Sequence, residues 1–144
     1  MTVNMESMKA KNIHGCETIL IVEDEAMLLE VLSATLEMNG YSVLKAVDGR
    51  KAIDLYEQNR EKIAAVITDL GLPGMPGNEE FRRLRLINPE VKVIIASGLF
   101  DSKLKGELIA AGVDGFLQKP YKPDEIIVLL QDVLKRRQMV NGQW

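Results

Sequence analysis

Apolar side chains along this chain follow two periods in turn. Short runs rich in β-branched residues are apolar almost without break: "TILIV" (18–22), "YSVLKA" (41–46), "AAVITD" (64–69), "VKVIIAS" (91–97) and "GFLQ" (115–118). Strands buried on both faces in a parallel sheet read this way. Between the runs, apolar positions return at helical spacing. Leu28, Val31, Leu32, Thr35 and Leu36 mark a helix that begins after Glu25 and stops at "NG" (39–40). Ala52, Leu55 and Tyr56 mark one face of "DGRKAIDLYEQN" (48–59). "NEEFRRLRLI" (78–87) offers Asn78 as an N-cap, acids in the first turn and arginines later, as the helix dipole favours. "DSKLKGELIAAG" (101–112) is a helix interrupted by Gly106 and is expected to be weak. "PDEIIVLLQDVLKRR" (123–137) is long and amphipathic, with Pro123 in its first turn and a basic end.

Strands that alternate with helices in this manner imply an α/β fold with a parallel sheet. Right-handed crossovers then put helices on both faces, and the functional crevice lies at the carboxyl ends of the strands where the winding reverses. The polar, unpatterned start suggests a division into a flexible leader (1–17), one folded domain (18–137) and a short tail (138–144). A length of 144 residues with 47% hydrophobic content fits one core.

Charge and cysteine usage narrow the possibilities. The net charge of −3, from 18 Lys+Arg against 21 Asp+Glu, supplies no basic field for nucleic acid. A single cysteine, Cys16, allows no intramolecular disulfide and suits a reducing compartment. The first residues lack a signal-like apolar segment, and no stretch approaches the roughly 18 apolar residues of a membrane span. The expectation is a cytoplasmic protein without membrane insertion. His14 beside Cys16 reads as incidental rather than as a metal site.

Chemistry collects at the strand ends. The first strand is followed by Glu23 and Asp24, the third ends on Asp69, the fourth on Ser97, and the fifth leads to Lys119 and Pro120; the second ends blandly at Ala46. In a parallel sheet these groups share one edge. Crowded carboxylates raise each other's pKa unless a cation sits among them, and a hard divalent ion with oxygen ligands, above all Mg²⁺, is the natural partner. Such an ion is commonly shared with phosphate, for which Lys119 supplies a point charge and Ser97 a hydroxyl. Asp69 itself is a candidate nucleophile, because carboxylates form aspartyl-phosphates. Taken singly, Asp69 before "GLPGMPG" is as well explained by a turn, and the Glu23–Asp24–Glu25 run by capping. The coincidence of all of them at one edge weighs against those readings.

"ILIVEDE", "VITDLGLPGMPG", "VIIASG" and "GFLQKPY" resemble, in order, the motifs of the receiver domain of bacterial two-component response regulators, from about Thr18 to Arg137. The resemblance implies a flavodoxin-like, doubly wound sheet of five parallel strands in the order 2-1-3-4-5, with five helices on its two faces. It places the phospho-acceptor at Asp69 and the acidic metal-binding pair at Glu23 and Asp24, with Asp24 favoured as the direct ligand and Glu23 acting through water. It also places a metal-binding backbone carbonyl at Gly71, the switch hydroxyl at Ser97, the phosphate-pairing lysine at Lys119, and a cis peptide bond before Pro120. The cofactor implied is Mg²⁺ or Mn²⁺. The implied partner is a sensor histidine kinase or a histidine phosphotransfer domain. As a regulator the chain would be a monomer or a phosphorylation-dependent dimer, and it leaves no room after Arg137 for a DNA-binding unit. By the same resemblance the chain is either a free-standing regulator or the receiver of a hybrid sensor histidine kinase, and "GCETILIVEDE" and "KVIIASG" look most like the latter.

One position departs from the family. Three residues before the lysine, where a tyrosine is frequent, stands Phe116, so an inward swing stays available without a phenolic hydrogen bond. Activation is expected to draw Ser97 toward the phosphoryl group, free space for Phe116, and remodel the 98–120 face. Gly98 leaves room beside the acceptor. Two other readings compete: a receiver that docks without being phosphorylated, and a phosphatase of the haloacid dehalogenase type. The latter needs an aspartate two residues after the nucleophile, where this chain has Gly71.

Overall fold

The computed structural model describes residues 17–71, 75, 77–98 and 102–141, with side chains as far as Arg136. Five strands alternate with five helices: β1 (Thr18–Val22), α1 (Ala26–Met38), β2 (Ser42–Ala46), α2 (Gly49–Gln58), β3 (Ile63–Asp69), α3 (Gly77–Ile87), β4 (Val93–Ser97), α4 (Ser102–Ala110), β5 (Gly115–Gln118) and α5 (Pro123–Asn141). Every strand pairing is parallel, and the sheet order is β2-β1-β3-β4-β5. The flavodoxin-like arrangement expected from the sequence is the one observed.

Strand alternation builds two cores, one per face. Ile19 and Ile21 of β1 point to the side where α1 (Leu29, Leu32, Leu36) and α5 (Ile126, Leu130, Val133) pack. Leu20 and Val22 point to the other side, against α2 (Ala52, Tyr56), α3 (Phe81, Leu84) and α4 (Leu108). Each fully buried aliphatic chain of this kind contributes about 1.5–3 kcal/mol, so the sheet is held mainly by its own runs of Ile, Leu and Val.

The winding reverses between β1 and β3, because β2 lies outside β1 while β3, β4 and β5 extend the other way. Val22 pairs with Thr68, and Asp69 with Ala96. The residues that follow β1 therefore come level with the end of β3 at the switch point.

Several local expectations need correction. In α1 the buried stripe is Leu29, Leu32, Ser33 and Leu36, whereas Val31 is 47% exposed. The helix "AMLLEVLSATLEM" is apolar on overlapping stripes, and the sheet selects the one that meets α5. Asn78 is not an N-cap: α3 begins at Gly77 and takes Asn78 into its first turn. Helix α5 runs on to Asn141, four residues beyond the expected end at 137. Strands β2 and β4 begin later than their apolar runs suggest, at Ser42 and Val93. Of the expected leader (1–17), residues 1–16 lie outside the described residues, as do the last three of the expected tail (138–144). Helix α4 buries Leu108 and packs Leu104 against the same core. It closes on Gly112, whose φ of 97° disfavours any L side chain and whose carbonyl accepts from the Arg85 guanidinium at 2.9 Å.

Candidate functional site

Glu23 and Asp24 emerge from β1 at the reversal. Glu23 is buried, 3% exposed, and Asp24 is exposed beside it. The Glu23 backbone N–H donates to the Ala46 carbonyl at 3.0 Å, which continues the ladder with β2 for one more residue. Its Oε2 accepts from the Glu25 N–H at 3.1 Å, a bond that also fixes the entry into α1.

Asp69 is half-buried at the end of β3, and both of its oxygens are engaged. Oδ1 accepts from the Gly71 N–H at 3.2 Å, and Oδ2 accepts from the Lys119 ammonium at 2.8 Å. The same Nζ lies 3.3 Å from Glu23 Oε1. Lys119 reaches this point because its backbone N–H donates to the Ser97 carbonyl at 2.8 Å, and a cis peptide bond to Pro120 follows.

The charges shape one another. Burial pushes the Glu23 carboxyl up; the Glu25 N–H and the Lys119 charge restrain the rise, and the Asp69 charge adds to it. Burial disfavours the Lys119 ammonium, but the hydrogen bond and charge of Asp69, with Glu23 behind them, outweigh it and raise its pKa. Lys119 is thus firmly cationic and is shared by two acids.

Glu23, Asp24 and Asp69 each offer a carboxylate oxygen, and these atoms lie within 4.8 Å of one another. Three carboxylates against one ammonium leave the edge short of positive charge. The donor set is entirely oxygen, which fits a hard divalent cation such as Mg²⁺. Gly71 stands close enough to hydrogen-bond Asp69, which puts its backbone at the same edge.

The other expected residues are set around this centre. Ser97 is buried at the end of β4, beside β3 in the sheet, and its register partner is Gln118. Gly98 follows, exposed, and its carbonyl accepts from Gln118 Nε2 at 3.0 Å. Phe116 sits half-buried on β5 against the core of the α2–α3–α4 face, with the Lys105 ammonium 5.3 Å from its ring centroid.

One pair at this end of the sheet escaped the sequence reading. Glu80 is 0% exposed, and both its oxygens approach the buried hydroxyl of Thr68, at 2.9 and 3.0 Å. Its neighbour Glu79 behaves as a first-turn acid should, bonding Arg82 and Arg83 at the surface. The signal was available: Glu80 falls on the inward stripe of α3 with Phe81 and Leu84.

Comparison with known proteins decides the family. The response regulator receiver domain family matches residues 19–131. The chain belongs to that family. Among curated relatives it is 33% identical over 124 residues to the phosphate regulon transcriptional regulatory protein PhoB of Pseudomonas aeruginosa, covering 83% of this chain and 52% of that protein. It is 30% identical over 129 residues to the sensor kinase CckA of Brucella abortus, covering 90% of this chain and 14% of that protein. A receiver domain structure from Clostridium thermocellum superposes with a TM-score of 0.81 at 26% identity, covering 87% of this chain and 99% of that one. The chain thus spans about half or less of the length of these curated relatives, and its match covers nearly all of that receiver domain structure. Receiver domains serve two-component signalling, bind Mg²⁺ at an acidic pocket, and work with histidine kinases or phosphotransfer proteins. The acidic cluster described above stands where such a pocket is expected. Among the described residues no helix is long and apolar enough to cross a membrane.

Proposed function

We propose that Asp69 accepts a phosphoryl group from a phosphohistidine on a kinase or phosphotransfer partner, and that the chain acts in the cytoplasm as a switch rather than as an enzyme with turnover. The observation that carries this reading is the convergence of Glu23, Asp24 and Lys119 on Asp69 at the point where the sheet winding reverses. A carboxylate oxygen of Asp69 attacks phosphorus in line; the new P–O bond forms as the P–N bond to imidazole breaks, and the imidazole leaves as the neutral base after protonation. Glu23, Asp24, Asp69 and the Gly71 carbonyl are the groups that would hold Mg²⁺ or Mn²⁺, which when bound neutralises charge on the transferring oxygens.

The protein's own residues do the remainder by positioning and charge. Gly71 N–H and Lys119 hold the two Asp69 oxygens from different sides and fix the direction of attack. Lys119 then follows the negative charge outward onto the phosphoryl group. Ser97, one residue past the Asp69–Ala96 register pair, donates its hydroxyl to the same group. Because the Ser97 carbonyl also holds the Lys119 N–H, movement of Ser97 is felt at Lys119 and along β5 toward Phe116. This coupling supports a change on the 98–120 face when the charge at Asp69 changes.

Incubation with acetyl phosphate and Mg²⁺, read by intact mass, tests the proposal. One added phosphoryl group is expected, absent in Asp69→Ala and in the presence of chelator. An unchanged mass in the parent would favour a docking receiver that is not phosphorylated. Continuous hydrolysis of p-nitrophenyl phosphate would favour a phosphatase.

A further inference from the structure

The Thr68–Glu80 pair has no part in the reaction just described, yet it immediately precedes Asp69 in β3. Thr68 is 1% exposed and Glu80 0%. A threonine hydroxyl carries one proton and two acceptor sites, and an ionised carboxylate can only accept. If Glu80 were ionised, one oxygen would take the Thr68 proton and the other would face a lone pair, with a full charge kept from water. If Glu80 carries a proton, the carboxyl donates to Oγ1 through one oxygen and accepts from it through the other. Both contacts, at 2.9 and 3.0 Å, are then hydrogen bonds and no charge is buried.

The surroundings agree. From β3 the charged neighbour is Asp69, whose sign disfavours a second anion. From α3 itself Glu79 turns outward to Arg82 and Arg83. Helix α2 presents Ala52 and Tyr56 to this core and keeps Arg50, Lys51 and Asp54 exposed; β4 presents Val93 and Ile95. Burial, ahead of every other influence, pushes the Glu80 carboxyl up to about 7, with the Thr68 bond pulling down and the Asp69 charge adding to the rise.

We propose that Glu80 is a positioning residue: a neutral carboxylic acid in reciprocal hydrogen bonding with Thr68, which pins the end of β3, and with it Asp69, to the first turn of α3. This inference rests on the phospho-acceptor reading and deepens it. In-line transfer depends on the direction of the Asp69 oxygens, and a strand end free to shift loses that direction. Neither Thr68 nor Glu80 touches the reacting atoms.

The test combines a spectroscopic readout with a kinetic one. In the parent protein, the ¹³C shift of the Glu80 carboxyl carbon is expected to be that of a neutral acid at about pH 6, titrating above the ordinary carboxylate range. Glu80→Gln keeps the reciprocal geometry, since its amide oxygen accepts and its NH₂ donates, and Thr68→Ser keeps the hydroxyl. Both are expected to gain phosphoryl from acetyl phosphate within about twofold of the parent rate. The double variant Thr68→Val with Glu80→Leu fills the space without hydrogen bonds; folded by circular dichroism, it is expected to react about tenfold more slowly. A Glu80 carboxyl ionised at about pH 6, a double variant as fast as the parent, or a Glu80→Gln as slow as the double variant would each overturn the inference. A parent that takes up no phosphoryl group removes the phospho-acceptor reading and the positioning role with it, while the carbon shift still decides whether the pair is neutral.

Discussion

Two buried glutamates act on Asp69 from different elements, and their partners differ in kind. Glu23, at the end of β1, meets a cation and a backbone N–H: Lys119 Nζ at 3.3 Å and Glu25 N–H at 3.1 Å. Glu80, in α3, meets one hydroxyl. Burial raises both carboxyls, but Glu23 has the Lys119 charge to restrain the rise, whereas among the described residues Glu80 has the Thr68 hydroxyl to restrain it and the Asp69 charge adding to it. The first environment offsets burial with a positive charge and keeps the carboxylate within 4.8 Å of those of Asp24 and Asp69, as the proposed ligand role requires. The second removes the charge and leaves a structural hydrogen bond. Under the proposed reading, what faces each carboxylate near Asp69, and not its residue type, sorts it into ligand or scaffold.

The largest expected effect comes from breaking the charged half of the comparison. Lys119→Ala removes the one ammonium shared by Asp69 and Glu23. The rate of phosphoryl gain from acetyl phosphate should fall about 100-fold. Affinity for Mg²⁺, read by calorimetry, should not weaken, because the acidic edge becomes more negative. A variant with unchanged rate would mean that the ion pair is only structural.

On the neutral half, Thr68→Val leaves the Glu80 carboxyl buried without a partner. Denaturation midpoints should show a loss of roughly 1–3 kcal/mol. Adding Glu80→Leu should restore most of it, since an apolar pair of fitting volume replaces a buried polar one at little cost. Equal stability of all three proteins would show that the hydroxyl–carboxyl pair contributes nothing.

A pH series sharpens the contrast. Glu80 is raised to about 7 in the folded protein from 4.5. The folded state therefore holds the proton more tightly, and the stability this confers is complete below 4.5 and is lost as pH rises through 7. Glu80→Gln does not titrate. It should match the parent at about pH 4 and exceed it at about pH 8, by up to roughly 3 kcal/mol in urea titrations. A parallel pH dependence in the two proteins would exclude Glu80 as the titrating group.

The smallest effect concerns the far end of the proposed coupling. Lys105→Ala removes the cation above the Phe116 ring and should cost about 0.5–1 kcal/mol of stability. It should leave the rate of phosphoryl gain unchanged, which intact mass over time would show.

The sheet was legible because its inner strands β1, β3 and β4 are written as nearly continuous apolar runs, while the edge strand β2 exposes Ser42 and Lys45; the edge chemistry showed because strand ends carry Glu23, Asp24, Asp69, Ser97 and Lys119 in order. What sequence could not settle was rotation and offset within helices. In α1, Leu28 and Val31 compete with Leu29 and Ser33 for the inward stripe, and only packing against the sheet and α5 chooses. In α3, Asn78 is a good capping residue that the helix absorbs by starting at Gly77. In sequence Glu80 looks like dipole charge, as Glu79 beside it is; its spacing to Phe81 and Leu84 places it inward, where propensity rules do not expect a carboxylate.

The central claim is that the phosphoryl group rests on Asp69, and chemical trapping tests it most directly. After reaction with acetyl phosphate and Mg²⁺, borohydride reduces an aspartyl phosphate to homoserine, which peptide mass mapping locates. Conversion at position 69, dependent on Mg²⁺ and on the phosphodonor, is the result expected. Conversion at another residue, or none in protein shown to have gained phosphoryl mass, would contradict it.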